Sequence, residues 1–196
     1  MEDTRKIKIA ALGALTAIVA VIATTSAAAG ATGSCPAKTF KQAFSKYGDK
    51  GQYFLVPNGG FESGTTGWTL GGSASVVAGN ETAYLNSASD TKSVKLTPNG
   101  WVRTVAFCVT PQDLTVRLMV KGASGQLKFD AKVVSGGNIR TWSTQVSAGS
   151  SGWRPSQVIQ FAMSNQYVGA STLELTFTAI GSTWQIDDIF VDPFKG

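Results

Sequence analysis

Apolar and polar residues alternate along three stretches of this chain. The apolar positions are Leu114, Val116, Leu118 and Val120, then Leu127, Phe129, Ala131 and Val133, then Leu173, Leu175, Phe177 and Ala179. A polar or charged residue fills nearly every position between them. Successive side chains of a β-strand point to opposite faces, so a period of two indicates strands with one buried and one solvated face. These stretches predict antiparallel sheets packed as a sandwich.

Shorter runs add to the number of predicted strands. They cover residues 53–56, 68–70, 74–78, 83–86, 93–97, 101–109, 140–146 and 158–163. Turns rich in Gly, Ser, Asn and Asp separate them. The one helical pattern precedes them, where Phe40, Phe44 and Tyr47 have the spacing of a single helical face. The chain is therefore predicted to be an all-β, antiparallel jelly-roll β-sandwich with a short helical or extended segment at its N-terminal side.

The first 31 residues have the features of a secretory signal peptide. Basic residues at positions 5, 6 and 8 precede an apolar run over 9–23, and small residues with an Ala-x-Ala site follow. Residues 32–52 form an N-terminal segment and residues 53–196 the sandwich domain. The alternatives are an uncleaved membrane anchor or a lipid-modified Cys35 for the start, and a flexible linker for residues 32–52. The prediction is a secreted, extracellular protein.

Composition limits the chemistry that this chain can perform. It has 17 Lys and Arg, 12 Asp and Glu and no His, which gives a formal net charge of +5. The cations are spread along the chain and form no stripe, which argues against a nucleic-acid groove. Without histidine, Ser-His-Asp and Cys-His nucleophile systems and histidine-ligated catalytic metals are excluded. No two carboxylates stand out as an acid and a nucleophile, so no enzymatic activity is predicted.

The two cysteines are predicted to form a disulfide. Cys35 precedes the first predicted strand and Cys108 lies in the middle of the sandwich sequence. Cysteines of an exported chain most simply pair, because the extracellular environment is oxidising. The bridge would tie the N-terminal segment to the sandwich.

Both ends of the predicted sandwich carry motifs known from one family. The first is Asn58-Gly59-Gly60-Phe61-Glu62, followed by Gly67-Trp68, and the second is the run Trp184-Gln185-Ile186-Asp187-Asp188-Ile189-Phe190-Val191. In both, the chain resembles the secreted carbohydrate-binding modules with a galactose-binding-like jelly roll. As far as its ending Asp192-Pro193-Phe194, it also resembles a group of small secreted actinobacterial proteins.

The resemblance implies a structural calcium ion. In the modules that the chain resembles, the matching Glu and a C-terminal Asp hold Ca²⁺, which takes carboxylate and carbonyl oxygens. The implied ligands are Glu62 with Asp187 or Asp188, and Asp187 is favoured because it shares a predicted face with core residues. The alternative is that Glu62 caps a turn and the aspartates accept hydrogen bonds from backbone amides or arginines.

Exposed aromatic residues are the candidates for sugar binding, since their faces pack against the apolar side of a pyranose. Three of the five tryptophans are assigned to the core, the first two by the resemblance: Trp68, Trp153 and Trp184. The predicted ligand-binding residues are Trp101, Trp142, Tyr84 and Arg140, with Tyr167 as a weaker candidate. For each aromatic residue, a partly buried position at the sandwich edge is the alternative.

These observations predict a secreted, non-catalytic domain that recognises extracellular or cell-wall carbohydrate. The alternative is an extracellular or cell-envelope domain with a structural or protein-interaction role and no sugar ligand. Neither version involves nucleic acid, or a membrane once the signal peptide is removed.

Overall fold

The computed structural model describes residues 34–147, 150–161 and 169–193, and the predicted signal peptide lies outside them. One turn of 3-10 helix, Ser45–Tyr47, is followed by thirteen strands. The strands are β1 (Phe54–Leu55), β2 (Trp68–Gly71), β3 (Ala74–Ala78), β4 (Lys92–Leu96), β5 (Trp101–Thr104), β6 (Phe107–Val109), β7 (Asp113–Gly122), β8 (Gln126–Ser135), β9 (Asn138–Ser147), β10 (Ser150–Pro155), β11 (Ile159–Gln160), β12 (Ser171–Ile180) and β13 (Trp184–Pro193). The predicted all-β class is confirmed.

The strands form two antiparallel sheets. One sheet has the order β10-β7-β13-β4-β3, with β1 also paired to β13 and β11 to β7. The other has the order β2-β5-β12-β8-β9, with β6 also paired to β12. We call them the seven-stranded and the six-stranded sheet.

The core lies between the two sheets and is built from the alternating apolar positions. The apolar residues of the neighbouring strands β8 and β12 are direct register partners. The fully buried Phe129 and Phe177 form one such pair, with ring centroids 5.4 Å apart. Trp68 and Trp184 are buried in this core, as predicted. The Trp184 ring lies so close to Gly122 that a side chain at position 122 would overlap it. Burial of these apolar faces is the main favourable contribution to folding.

Two predicted strands differ in the structure. Residues 83–86 form a loop, because Tyr84 has a left-handed φ of 52° and the backbone N–H groups of Ala83 and Leu85 donate to the Glu81 carboxylate. A strand would have used those groups in a ladder. Residues 101–109 form two strands, β5 and β6, which pair with different parts of β12.

The N-terminal segment is less helical and less buried than its pattern predicted. Of the three aromatic residues, only Phe44 is buried, and Phe40 and Tyr47 remain 43% and 41% exposed. Phe44 packs edge-on against Tyr53 and Phe190 in a second apolar cluster. This cluster lies on the outer side of the seven-stranded sheet, so the segment covers part of that face. Gly48 ends the 3-10 turn in a left-handed conformation.

The predicted disulfide between Cys35 and Cys108 is present, with the two Cα atoms 5.5 Å apart. Cys108 lies in β6, so the bridge joins the N-terminal segment to the six-stranded sheet. The segment therefore contacts both sheets.

Replacing Cys108 by serine is expected to lower the free energy of unfolding by about 4 kcal/mol, because the bridge closes a loop with a sequence separation of 73. Urea unfolding of the wild type and of Cys35→Ser and Cys108→Ser measures this. Dithiothreitol should weaken the wild type to the level of the variants and leave both variants unchanged. Equal stability of wild type and variants under oxidising conditions would contradict the prediction.

Candidate functional site

The outer face of the six-stranded sheet is the first candidate site. Its inner positions, such as Val102, Phe129 and Phe177, are fully buried, so the residues between them point away from the core. Two rows of outward side chains cross the sheet from β2 to β9 in direct register. The first row is Gly71, Trp101, Thr178, Lys128 and Gln145, and the second is Thr69, Arg103, Thr176, Asp130 and Ser143.

Trp101 forms an aromatic platform on this face. Its indole lies directly over Gly71 of the edge strand, where a Cβ atom would come within 2.2 Å of the ring. The glycine therefore allows the ring to lie along the sheet, and Trp101 stays partly exposed. The Arg103 guanidinium carbon is 5.3 Å from the ring centroid, a cation–π distance. The Trp101 ring and the Arg103 guanidinium therefore lie side by side on the outer face of β5.

Charged and hydroxyl groups occupy the rest of the outer face. Lys128 pairs with Asp130 at 2.9 Å, and the Ser143 hydroxyl donates to the same carboxylate at 2.6 Å. A pocket of about 280 Å³ next to this pair is lined by Asp130, Lys132, Glu174 and Thr176, among others. Trp142 of β9 also borders it, although its indole packs against the core. Such a surface offers many hydrogen-bond donors and acceptors to a polyhydroxylated ligand.

The structure does not gather the predicted ligand-binding residues into one site. Trp142 and Arg140 are in register with the inward residues Ala131 and Val133, so both belong to the inner side of β9. Trp142 packs against the core and meets Phe161 edge-on, with ring centroids 6.5 Å apart. Only Trp101 belongs to the outer rows. Arg140 is exposed, because β9 is an edge strand.

Tyr84 lies in the loop between β3 and β4, away from the strands that carry the outer rows, and is 51% exposed. Tyr167 lies outside the described residues. The sequence reasoning missed Arg103, although it lies two positions after Trp101 and therefore shares its face by the period of two.

A bulge in β13 forms the second candidate site. The register with β7 shifts between Asp187 and Phe190, and Asp188 has a left-handed φ of 46°. A bulge of this kind places one extra residue in the strand and redirects the neighbouring side chains. As a result both aspartates are fully buried, although they are consecutive.

Backbone N–H groups donate hydrogen bonds to these buried carboxylates. Asp187 accepts hydrogen bonds from the backbone N–H groups of Glu81 and Asp188, and Asp188 accepts one from Asn86. Burial and the charge of Asp188 raise the pKa of Asp187 to about 9. Burial, opposed by the hydrogen bond from Asn86, raises the pKa of Asp188 to about 7. The loop between β3 and β4 therefore depends on the bulge for its anchoring.

Two further acids lie near the bulge, and neither was predicted to be part of a site. Glu81 is fully buried and adds to the negative charge around Asp187 and Asp188. Asp90, 6% exposed, accepts a hydrogen bond from the Asn86 amide at 2.8 Å. Their positions follow from the path of the loop, which no periodic pattern describes.

Of the three predicted calcium ligands, the structure brings together Asp187 and Asp188. Glu62 instead accepts hydrogen bonds from the backbone amides of Thr91 and Lys92 and from the Thr91 hydroxyl. Among the described residues, the carboxylate oxygen Oδ1 of Asp188 is buried and has no hydrogen-bond partner. A Cβ atom at Gly60 would lie 3.1 Å from that oxygen and 3.6 Å from Oδ2 of Asp90, so the two oxygens face the same small space.

An orphaned buried oxygen beside a second carboxylate fits an oxygen-binding cation. Within the described ranges, no group of three or more Asp, Glu, Cys or His side chains is arranged to hold a metal ion. A cation here would therefore take further oxygens from backbone carbonyls or water.

Comparison with known proteins finds similarity in fold. No protein-family model matches the chain, and no curated protein matches it. The active domain of bacteriophage CBA120 tailspike protein 4 matches over 71% of this chain and 21% of its own, with 16% identity and a TM-score of 0.53. A family 61 carbohydrate-binding module, solved with beta-1,4-galactotriose, matches over 71% of this chain and 98% of its own, with 21% identity and a TM-score of 0.45. A Stig cyclase from Fischerella matches over 73% and 100%, with 12% identity and a TM-score of 0.46. At these identities the matches concern the sandwich fold alone.

In chelator-treated protein, the free energy of unfolding is expected to fall as the pH rises from about 4 to about 9. The folded state holds protons on Asp188 and Asp187 up to pKa values of about 7 and about 9, whereas the unfolded state releases them near the usual 3.8. Stability falls with pH wherever the folded state binds more protons. Urea unfolding at pH 5 and pH 8 in EDTA measures the slope.

The variant Asp188→Asn should flatten this dependence. Asparagine tolerates the left-handed φ and keeps an acceptor for the Asn86 amide. Asp130→Asn on the outer face is the matched control and should keep the wild-type slope. A wild-type protein that is more stable at pH 8 than at pH 5 in EDTA would contradict the assignment.

Proposed function

We propose that this protein is a non-catalytic extracellular domain that binds carbohydrate on the outer face of its six-stranded sheet. The observation that carries the proposal is the Trp101 ring, laid over Gly71 beside Arg103 within rows of hydroxyl and charged side chains. A sugar ring stacks on such a platform while its hydroxyl groups bond to neighbouring polar groups. The resemblance of the two end motifs to carbohydrate-binding modules supports the same class of ligand.

Two carboxylates on the outer face raise the question of hydrolysis. Asp130 and Glu174 line the same pocket, and they are two positions apart on neighbouring strands. A glycosidase places its two carboxylates on either side of the scissile bond. Here both project from one sheet, and the Asp130 carboxylate is paired with Lys128 and accepts a hydrogen bond from the Ser143 hydroxyl. This arrangement favours binding over bond cleavage.

Two observations support an extracellular location. The disulfide between Cys35 and Cys108 is of the kind that persists in oxidising compartments. The signal-peptide pattern of residues 1–31 agrees with export. In the part of the chain that the structure describes, no helix has the length and apolar character needed to cross a membrane.

We further propose that a calcium ion stabilises the bulge. Asp188 would supply its unpartnered Oδ1, and Asp90 would lie beside it. Glu62 and Asp187 belong to the set that the resemblance implies, but their oxygens already accept backbone hydrogen bonds. A bound cation would offset the desolvation of two adjacent buried carboxylates. Its contribution would be to stability.

Replacing Trp101 by alanine is expected to weaken polysaccharide binding about thirtyfold, the effect of removing a central aromatic contact worth roughly 2 kcal/mol. Retention of purified protein by insoluble galactan, xylan, cellulose and bacterial cell walls measures it. The matched control is Trp153→Ala, which removes the same side chain from the apolar cluster on the outer side of the seven-stranded sheet and should keep binding. Trp142→Ala changes the pocket that Asp130 and Glu174 line and tests the β9 edge. Gly71→Ala retains the indole but displaces it, and should also lose binding.

Each other outcome of this experiment is informative. Loss of binding in Trp142→Ala with retention in Trp101→Ala would move the site to the β9 edge. No retention of the wild type by any polymer would contradict carbohydrate binding and favour the protein-interaction role. Release of reducing sugar that is abolished in Asp130→Asn or Glu174→Gln would contradict the non-catalytic part of the proposal.

Calcium is expected to raise the unfolding temperature of EDTA-treated protein. A ligand at a hundredfold excess over its Kd stabilises the folded state by about 2.7 kcal/mol. Differential scanning calorimetry with CaCl₂, and with NaCl at equal ionic strength, measures the shift. The shift should disappear in Asp188→Asn and persist in Asp130→Asn, and its persistence in Glu62→Gln would remove Glu62 from the ligand set. An equal shift in Asp188→Asn would contradict this site.

A further inference from the structure

The outer face of the seven-stranded sheet carries a pocket that the carbohydrate site does not use. Gln185 of β13 is in direct register with Lys95 of β4 on one side and with Lys121 of β7 on the other. Neighbouring strands are about 4.8 Å apart, so the two lysine Cα atoms are separated by about 10 Å. The N-terminal segment covers only the part of this face around Phe44 and Met119. The row of Lys95, Gln185 and Lys121 remains open.

The pocket of about 290 Å³ at this row is lined by hydrogen-bond donors and by no acidic residue of the described chain. Two ammonium groups, the Gln185 amide and the hydroxyl groups of Ser151 and Thr183 border it. Neither lysine forms an ion pair with a described residue. Lys95 and Lys121 lie on the two strands that flank β13, and an anion bound between them would offset the repulsion of their charges.

Trp184 also borders the pocket, but its side chain lies on the inner side of β13. It is in register with the buried Leu96, whereas the next residue, Gln185, is in register with the two lysines. The indole therefore belongs to the core between the sheets and is no part of the anion site. The groups available to an anion are the two ammonium groups, the Gln185 amide and the two hydroxyl groups.

We propose that this pocket binds a phosphate or sulfate group, held by Lys95 and Lys121. A tetrahedral oxyanion has several acceptor oxygens, which matches two ammonium groups with an amide and hydroxyl groups between them. The group can be a free anion or an ester on an extracellular polymer. This site lies on the opposite side of the sandwich from Trp101, so it is independent of the proposed carbohydrate site.

Titration of the ¹⁵N-labelled protein with sodium phosphate and sodium sulfate, at constant ionic strength, tests the site. We expect saturable shifts of the Lys121, Gly122 and Gln185 amides. In the double variant Lys95→Gln/Lys121→Gln the affinity should fall about fivefold to tenfold, the loss expected for two partly exposed charge contacts. The control Lys46→Gln/Lys50→Gln makes the same change of net charge at two exposed positions of the N-terminal segment, outside both proposed sites, and should behave as the wild type.

Retention on dextran sulfate, compared with uncharged dextran, separates the two sources of the anion. Retention that is lost in the Lys95/Lys121 variant and kept in the control identifies a polymer ester, and saturation by free phosphate without such retention identifies a free anion. Shifts that do not saturate, or equal losses in both double variants, would overturn the proposal by reducing it to general attraction between charges.

Discussion

Burial of two consecutive carboxylates in the last strand is the constraint on which much of this structure depends. Asp187 and Asp188 lie where β13 pairs with β7, and a bulge turns both side chains away from water. A desolvated carboxylate is tolerated only with hydrogen-bond partners. The partners are backbone amides of Glu81 and Asn86, so the long loop between β3 and β4 takes its path from the bulge. The turn at Gly59 meets the same strand, since Ile189 donates to its carbonyl.

The sandwich keeps its three polar regions apart. The Trp101 platform lies on the outer face of the six-stranded sheet, and the Lys95 and Lys121 pocket lies on the outer face of the seven-stranded sheet. The buried acids at the bulge lie between the seven-stranded sheet and the loop that joins β3 to β4. Each region uses a different property of strands: alternation for the platform, register across three strands for the lysines, and an extra residue for the acids. All three regions are built on the same apolar core between the sheets.

Alternation along the chain was sufficient to predict the sandwich and most of its strands, because each strand buries one face. It was insufficient for the loop over residues 83–86, whose backbone amides bond to Glu81. The cysteine pairing followed from there being two cysteines in a chain that is predicted to be exported. The site residues were harder to predict than the strands. The period of two is enough to place Trp101 and Arg103 on one face, whereas the inward position of Trp142 depends on its pairing with Ala131 of the neighbouring strand. Glu81 and Asp90 are brought near the bulge by tertiary contacts, for which no local pattern exists.

The bridge between Cys35 and Cys108 also has a mechanical consequence. Tension on the chain that precedes Cys35 passes through the sulfur atoms to β6, and from there into the hydrogen bonds that join β6 to β12. The residues between the two cysteines, which include the N-terminal segment, the loop over the bulge and the Trp101 platform, lie within the closed loop and outside the path of the force. While the bridge is intact, pulling from that side would load β6 and leave the platform strand and the loop that covers the bulge outside the covalent path of the force.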